Sequence, residues 1–133
     1  MGAYVAAQLI KAMIKKSIQI EGARVLVMGL TFKENCPDLR NTRVVDIVSE
    51  LKQYNIAVDV YDPWVSESEA ENEYEITPIR IPSAGSYDAM ILAVAHDVFK
   101  MIGVEQVHSF GKTPHVLYDL KYLFSRKEVD LRL

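Results

Sequence analysis

This 133-residue chain has one cysteine, Cys36, so it can form no internal disulfide framework and suits a reducing compartment. Its three histidines are scattered, and with the single cysteine they give no metal-ligand spacing. No apolar run approaches the roughly 20 residues that span a bilayer. The opening Met1-Gly2-Ala3-Tyr4 has no basic stretch of the kind that begins a signal peptide. Excess positive charge is lacking too. The formal net charge is -3, so a general affinity for nucleic acid is not expected, and any anion site must come from local placement of Lys and Arg. There is no internal repeat and no low-complexity tract. The Gly-x-Gly-x-x-Gly fingerprint of dinucleotide folds is also missing, with only Gly29 at the position where it would begin.

What is present is the composition of one ordinary globular domain, half hydrophobic and a quarter charged. Met1 to Ile18 has helical periodicity, with Val5, Leu9, Ala12, Met13 and Lys16 on one stripe and Lys15 and Lys16 near the carboxyl end. Residue 1 already lies inside that pattern, so the helix is expected to be part of a longer one. Strands are expected at Arg24–Met28, Ala57–Tyr61, Ile76–Ile79, Ala89–Val94 and Val116–Tyr118. Helices are expected at Val44–Tyr54 and Ser66–Tyr74, with short helical pieces at Val98–Met101 and Val104–Phe110. Asn55 suits a left-handed helix end, and Ser66 with Glu69 forms a capping box. Continuous apolar strands alternating with helices imply an α/β fold, a Rossmann-like three-layer sandwich with a mainly parallel sheet.

The segment Gly29 to Thr42 carries the most chemistry. It leaves the carboxyl end of the first strand, where α/β sheets bind ligands. It is about a dozen residues long, against the two to six usual for such a connection. Lys33 and Arg40 give it two cations suited to a phosphate or carboxylate, and a solvated loop with ordinary surface charge is the alternative. Phe32 reads first as core packing beneath the loop. Cys36 reads as a small packed side chain beside Pro37, since no local base could activate it. Asp62 stands where a dinucleotide fold places its ribose-binding acid, but Pro63 after it favours a turn. His96 follows the strand ending at Val94, and a structural role is favoured over that of a base; Asp97 could cap the next helix. Lys121 lies just past the last strand. Three strand ends thus bring Lys33 and Arg40, His96, and Lys121 to one rim.

Four segments together resemble the UDP-binding C-terminal domain of the UDP-glucose/GDP-mannose dehydrogenase family: Gly29 to Thr42, Val58 to Trp64, Ala93 to Phe99, and Tyr118 to Lys121. The Asn-Cys-Pro-Asp-x-Arg-Asn form is similar to the branch acting on UDP-N-acetylhexosamines such as UDP-N-acetylmannosamine. The resemblance implies a parent enzyme that oxidises the sugar C6 hydroxymethyl to a carboxylate in two NAD-dependent steps. The product would feed capsule or surface-polysaccharide synthesis in the cytoplasm, and the parent would be a homo-oligomer. It implies that residues 1–20 end an inter-domain helix and residues 21–133 form the UDP-binding domain. Phe32 and Lys33 then match a nucleotide-sugar-binding pair, and Arg40 matches an arginine that reaches NAD. Lys121 falls where many members carry a substrate-binding arginine. Arg132 matches a recurrent ending and receives no role. The family's NAD domain and catalytic cysteine have no counterpart here, and Cys36 is not that cysteine, so the chain alone is expected to be inactive, with NAD held mainly by the absent domain. The partners implied are the UDP-sugar and the remainder of the parent, with neither nucleic acid nor membrane. A stand-alone nucleotide-binding or regulatory module of the same fold is the alternative. A receiver-like phosphotransfer protein would need acidic residues at the first strand end, where Gly29-Leu30-Thr31 supplies none.

Overall fold

Five parallel strands form the middle layer of the computed structural model, which describes residues 2–133. They are β1 (Arg24–Met28), β2 (Ala57–Tyr61), β3 (Tyr87–Leu92), β4 (Gly111–Asp119) and β5 (Leu131–Arg132), in the order β2-β1-β3-β4-β5. All four neighbouring pairs run parallel. The helices are α1 (Gly2–Lys15), α2 (Val44–Lys52), α3 (Glu67–Tyr74), α4 (Asp97–Ile102) and α5 (Val104–Ser109).

Side chains of a strand alternate between faces, and the core divides accordingly. Val25, Val27, Ala89, Ile91, Val116 and Tyr118 face one layer, where α1 and α2 bury Val5, Leu9, Met13, Ile47 and Leu51. Leu26, Met28, Met90, Leu92 and Leu117 face the other, against Phe99 of α4 and Val107 of α5. Tyr87 joins this second cluster although its parity is that of Ala89, and the β3–β4 register shifts between the two.

Several elements differ from expectation for identifiable reasons. Ile76–Ile79 forms no strand but a single bridge from Ile79 to Tyr61, since Pro78 has no N–H to give a ladder. β4 is nine residues long, but its first residues are mostly exposed, so only Val116–Tyr118 showed an apolar run. β5 is two half-buried residues with no periodicity to read; Asp130 pins it by accepting from the Leu117 N–H at 2.8 Å. Asn55 is left-handed, with φ 63°, and Ser66 caps α3 by accepting from the Glu69 N–H. The part of the first-helix expectation that includes Met1 lies outside the described residues. Within them, the apolar stripe of α1 is covered by the sheet and α2. Lys16 is exposed rather than on that stripe, and its Nζ meets Asp130 at 2.7 Å. Among the described residues no helix is long and apolar enough to cross a membrane.

Candidate functional site

The strand order reverses beside β1, whose neighbours are β2 and β3, and the crevice outside the carboxyl ends is the ligand position of such sheets. The chain's exit from β1 requires Gly29. Its φ is 104°, and a Cβ there would lie 2.6 Å from the Val94 Cβ. Asp62, just past β2, then folds the following segment. Its buried carboxylate accepts from the N–H groups of Leu30 at 2.7 Å and Thr31 at 3.2 Å through Oδ2, and of Trp64 at 2.9 Å through Oδ1.

His96 completes this anchor. Its side chain is fully buried, and its Nδ1 accepts from the Asn35 N–H at 2.9 Å. An accepting Nδ1 carries no proton, so the neutral ring bears its hydrogen on Nε2. That N–H donates to Asp62 Oδ2 at 2.9 Å. Asn35, left-handed at φ 55°, accepts the Asp97 N–H on its Oδ1 at 3.0 Å. Asp97 is therefore not the cap, and the Asn35 side chain takes that N–H instead. Burial pushes the Asp62 carboxyl up, but hydrogen bonds from His96 and the Leu30 and Trp64 N–H groups outweigh it and hold it below the usual carboxylate range.

On this frame sits a cleft of about 250 Å³. Phe32 and Lys33 line it from the β1 loop, Thr42 and Arg43 from the entry to α2, and Lys121 from the end of β4. Ala93, Val94 and Leu120 supply apolar surface. Lys121 is placed by buried Asp119, which accepts from the N–H groups of Lys121 at 3.1 Å, Leu123 at 3.2 Å and Phe124 at 2.9 Å. Lys33, Arg43 and Lys121 stand against Glu34 as the only charged side chains lining the cleft among the described residues. Such a lining suits an anion with an apolar neighbour.

Of the residues singled out in the sequence, Phe32, Lys33 and Lys121 come together here. Phe32 is 56% exposed rather than packed, because Leu30 and Leu39 already fill the core beneath the loop. Arg40 does not line the cleft. Its guanidinium grips Asp38, Nε to Oδ1 at 3.0 Å and Nη2 to Oδ2 at 3.2 Å, and this contact draws the Asp38 carboxyl downward. His96 is structural and lies beneath the rim. Cys36 is a free, half-buried thiol. Arg43 and Thr42 escaped sequence reading; the available signal was an arginine standing where a helix usually takes a capping residue.

The residues do not fit a dinucleotide cradle. The exit from β1 carries one glycine, and Asp62, the only acid at the ribose position, is spent on its own backbone and His96. Among the described residues no three His, Cys, Asp or Glu side chains gather as a metal site.

Residues 26–126 match the family model of the UDP-glucose/GDP-mannose dehydrogenase family, UDP binding domain. The chain belongs to this family. It is 65% identical over its whole length to a UDP-N-acetyl-D-glucosamine 6-dehydrogenase of Pseudomonas aeruginosa, of which it covers 32%. It is 54% identical over its whole length to the same-named protein of Salmonella typhi, covering 31%. This UDP-binding domain thus spans about a third of the length of the curated relatives it matches. The solved UDP-D-ManNAc dehydrogenase of Pyrococcus horikoshii superposes with a TM-score of 0.75 over 98% of this chain and 30% of that one, at 23% identity, and shows the shared fold.

Proposed function

We propose that this chain is the nucleotide-sugar-binding part of an NAD-dependent UDP-sugar 6-dehydrogenase acting on a UDP-N-acetylhexosamine. The parent enzyme oxidises the sugar C6 hydroxymethyl to a carboxylate for surface-polysaccharide synthesis in the cytoplasm, as a homo-oligomer. The observation that carries this reading is the cation-lined cleft at the strand-order reversal of a chain from a UDP-binding family. Residues 1–20 end the helix that connects to the rest of the parent, and residues 21–133 form the UDP-binding domain.

Phe32, Lys33 and Lys121 contact the nucleotide sugar. Lys121 offers one ammonium rather than a planar fork, so it acts as a point charge. Arg40 is 86% exposed at its side chain and stands outside the cleft, available to the cofactor side of a neighbouring domain. At about 250 Å³ the cleft is smaller than the roughly 300–1,000 Å³ of sites for drug-sized ligands, so it receives part of the nucleotide sugar.

Calorimetric titration of the purified chain with UDP tests this. We expect binding that weakens on Lys33→Ala by about 1.5–3 kcal/mol, one charge-assisted hydrogen bond, and is unchanged by Arg40→Ala. No heat of binding from the wild-type chain overturns the assignment.

A further inference from the structure

We propose that Arg43 grips the diphosphate of the nucleotide sugar; this rests on the function proposed above. The argument begins with a broken local rule. Arg43 is the residue that caps the amino end of α2, yet no side chain caps through it. That position favours Ser, Thr, Asp or Asn, whose oxygens accept a free helix N–H. A guanidinium has only donors. It also brings a positive charge to the positive end of the helix dipole, where a cation is disfavoured. As a helix-starting residue, Arg43 therefore works against its own element. Local rules are broken in this way where a function requires it.

Its surroundings say which function. Arg43 lines the same cleft as Lys33 and Lys121, where Glu34 is the only acidic side chain among the described lining residues. Unlike Arg40, which is held at two points by Asp38, Arg43 is hardly committed. Its one ion-pair contact is Asp46 at 3.9 Å, beyond hydrogen-bond length, and its side chain is 84% exposed. The neighbouring Thr42 hydroxyl already accepts the Val44 N–H at 3.2 Å, so the guanidinium has no backbone duty. An anion in the cleft would relieve both the repulsion among the three cations and the conflict with the helix dipole. A diphosphate offers the paired oxygens that the planar fork matches, and uracil offers no charge.

The test is titration of the chain with UDP and with uridine. Arg43→Ala is expected to weaken UDP about 10- to 100-fold, the loss of one charge-assisted contact, and to leave uridine unchanged. Arg43→Lys should recover part of the loss. Arg43→Ser removes the cation at a position whose first free helix N–H is already served by the Thr42 hydroxyl, so UDP binding should fall while the thermal midpoint does not, a combination that a structural role for Arg43 cannot produce. Equal losses of UDP and uridine, or a lower midpoint for Arg43→Ser, overturn the proposal. So does unchanged UDP affinity in Arg43→Ala and Arg43→Ser beside a wild-type chain that binds, and this leaves the domain assignment standing. A wild-type chain that binds no UDP overturns the assignment and this inference together.

Discussion

Asp62 and His96 show how a residue that looks like chemistry can be architecture. Both lie at strand ends, and both are buried against backbone groups of the loop they organise. The folded state favours ionised Asp62, whose carboxyl lies below its ordinary value near 3.9. Its contribution is therefore complete above that ordinary value and is lost as pH falls through the lower, folded one. Asp62→Asn should destabilise the fold at neutral pH by about 1–3 kcal/mol, since an amide cannot accept every bond the carboxylate does. It should also flatten the slope of stability as pH falls below about 4, the ordinary carboxylate value. Urea unfolding at a series of pH values checks both, and a variant with the wild-type acid slope would contradict this role. The turn at Asp62 was legible from Pro63. The Asn35–His96 bond was not, because it joins residues 61 apart in sequence and no local pattern announces it.

At the scale of the element, continuous apolar runs and helical stripes were legible, and short half-buried pieces were not. β1 and β2 were legible residue for residue, as runs bounded by turn residues. β5 was not, because two half-buried residues have no period, and Pro78 turned an apolar stretch into a single bridge. The apolar stripe of α1 was legible, but its partner was not. That stripe is the lid of one core layer, with Leu9 and Met13 wholly buried. Leu9→Ala should consequently cost about 2–5 kcal/mol, the price of a core cavity. Denaturant melts measure it, and a loss under 1 kcal/mol would mean that α1 is peripheral. The cleft's Lys33 and Lys121 were legible from their strand ends. Arg43 was hidden although the start of α2 at Val44 was legible, because the cleft it lines is assembled from segments far apart in sequence.

At the scale of the whole molecule, the cleft gathers Lys33, Arg43 and Lys121 at one end of the sheet. The chain's one thiol is half-buried on the loop and does not line the cleft, and its sheet end forms no dinucleotide cradle. Hydride transfer requires a nicotinamide and a reacting group held together against the sugar. The purified chain incubated with NAD and UDP-N-acetylglucosamine should form no NADH above background, followed at 340 nm as ~zero turnover. Steady NADH production would show that the site has been misread.

The contact between Lys16 and Asp130 sets a schedule for how the molecule comes into being. The two residues are 114 apart in the chain, and the helix before Lys16 is roofed onto strands that include β4. At ribosomal rates of about 5–20 residues per second, Lys16 waits roughly 6–23 s for its partner to be made. During that wait the apolar side of α1 has only α2 and the early strands to cover it. This core layer therefore closes over α1 only once β4 has been made, whatever the order in which α2 and the early strands pack.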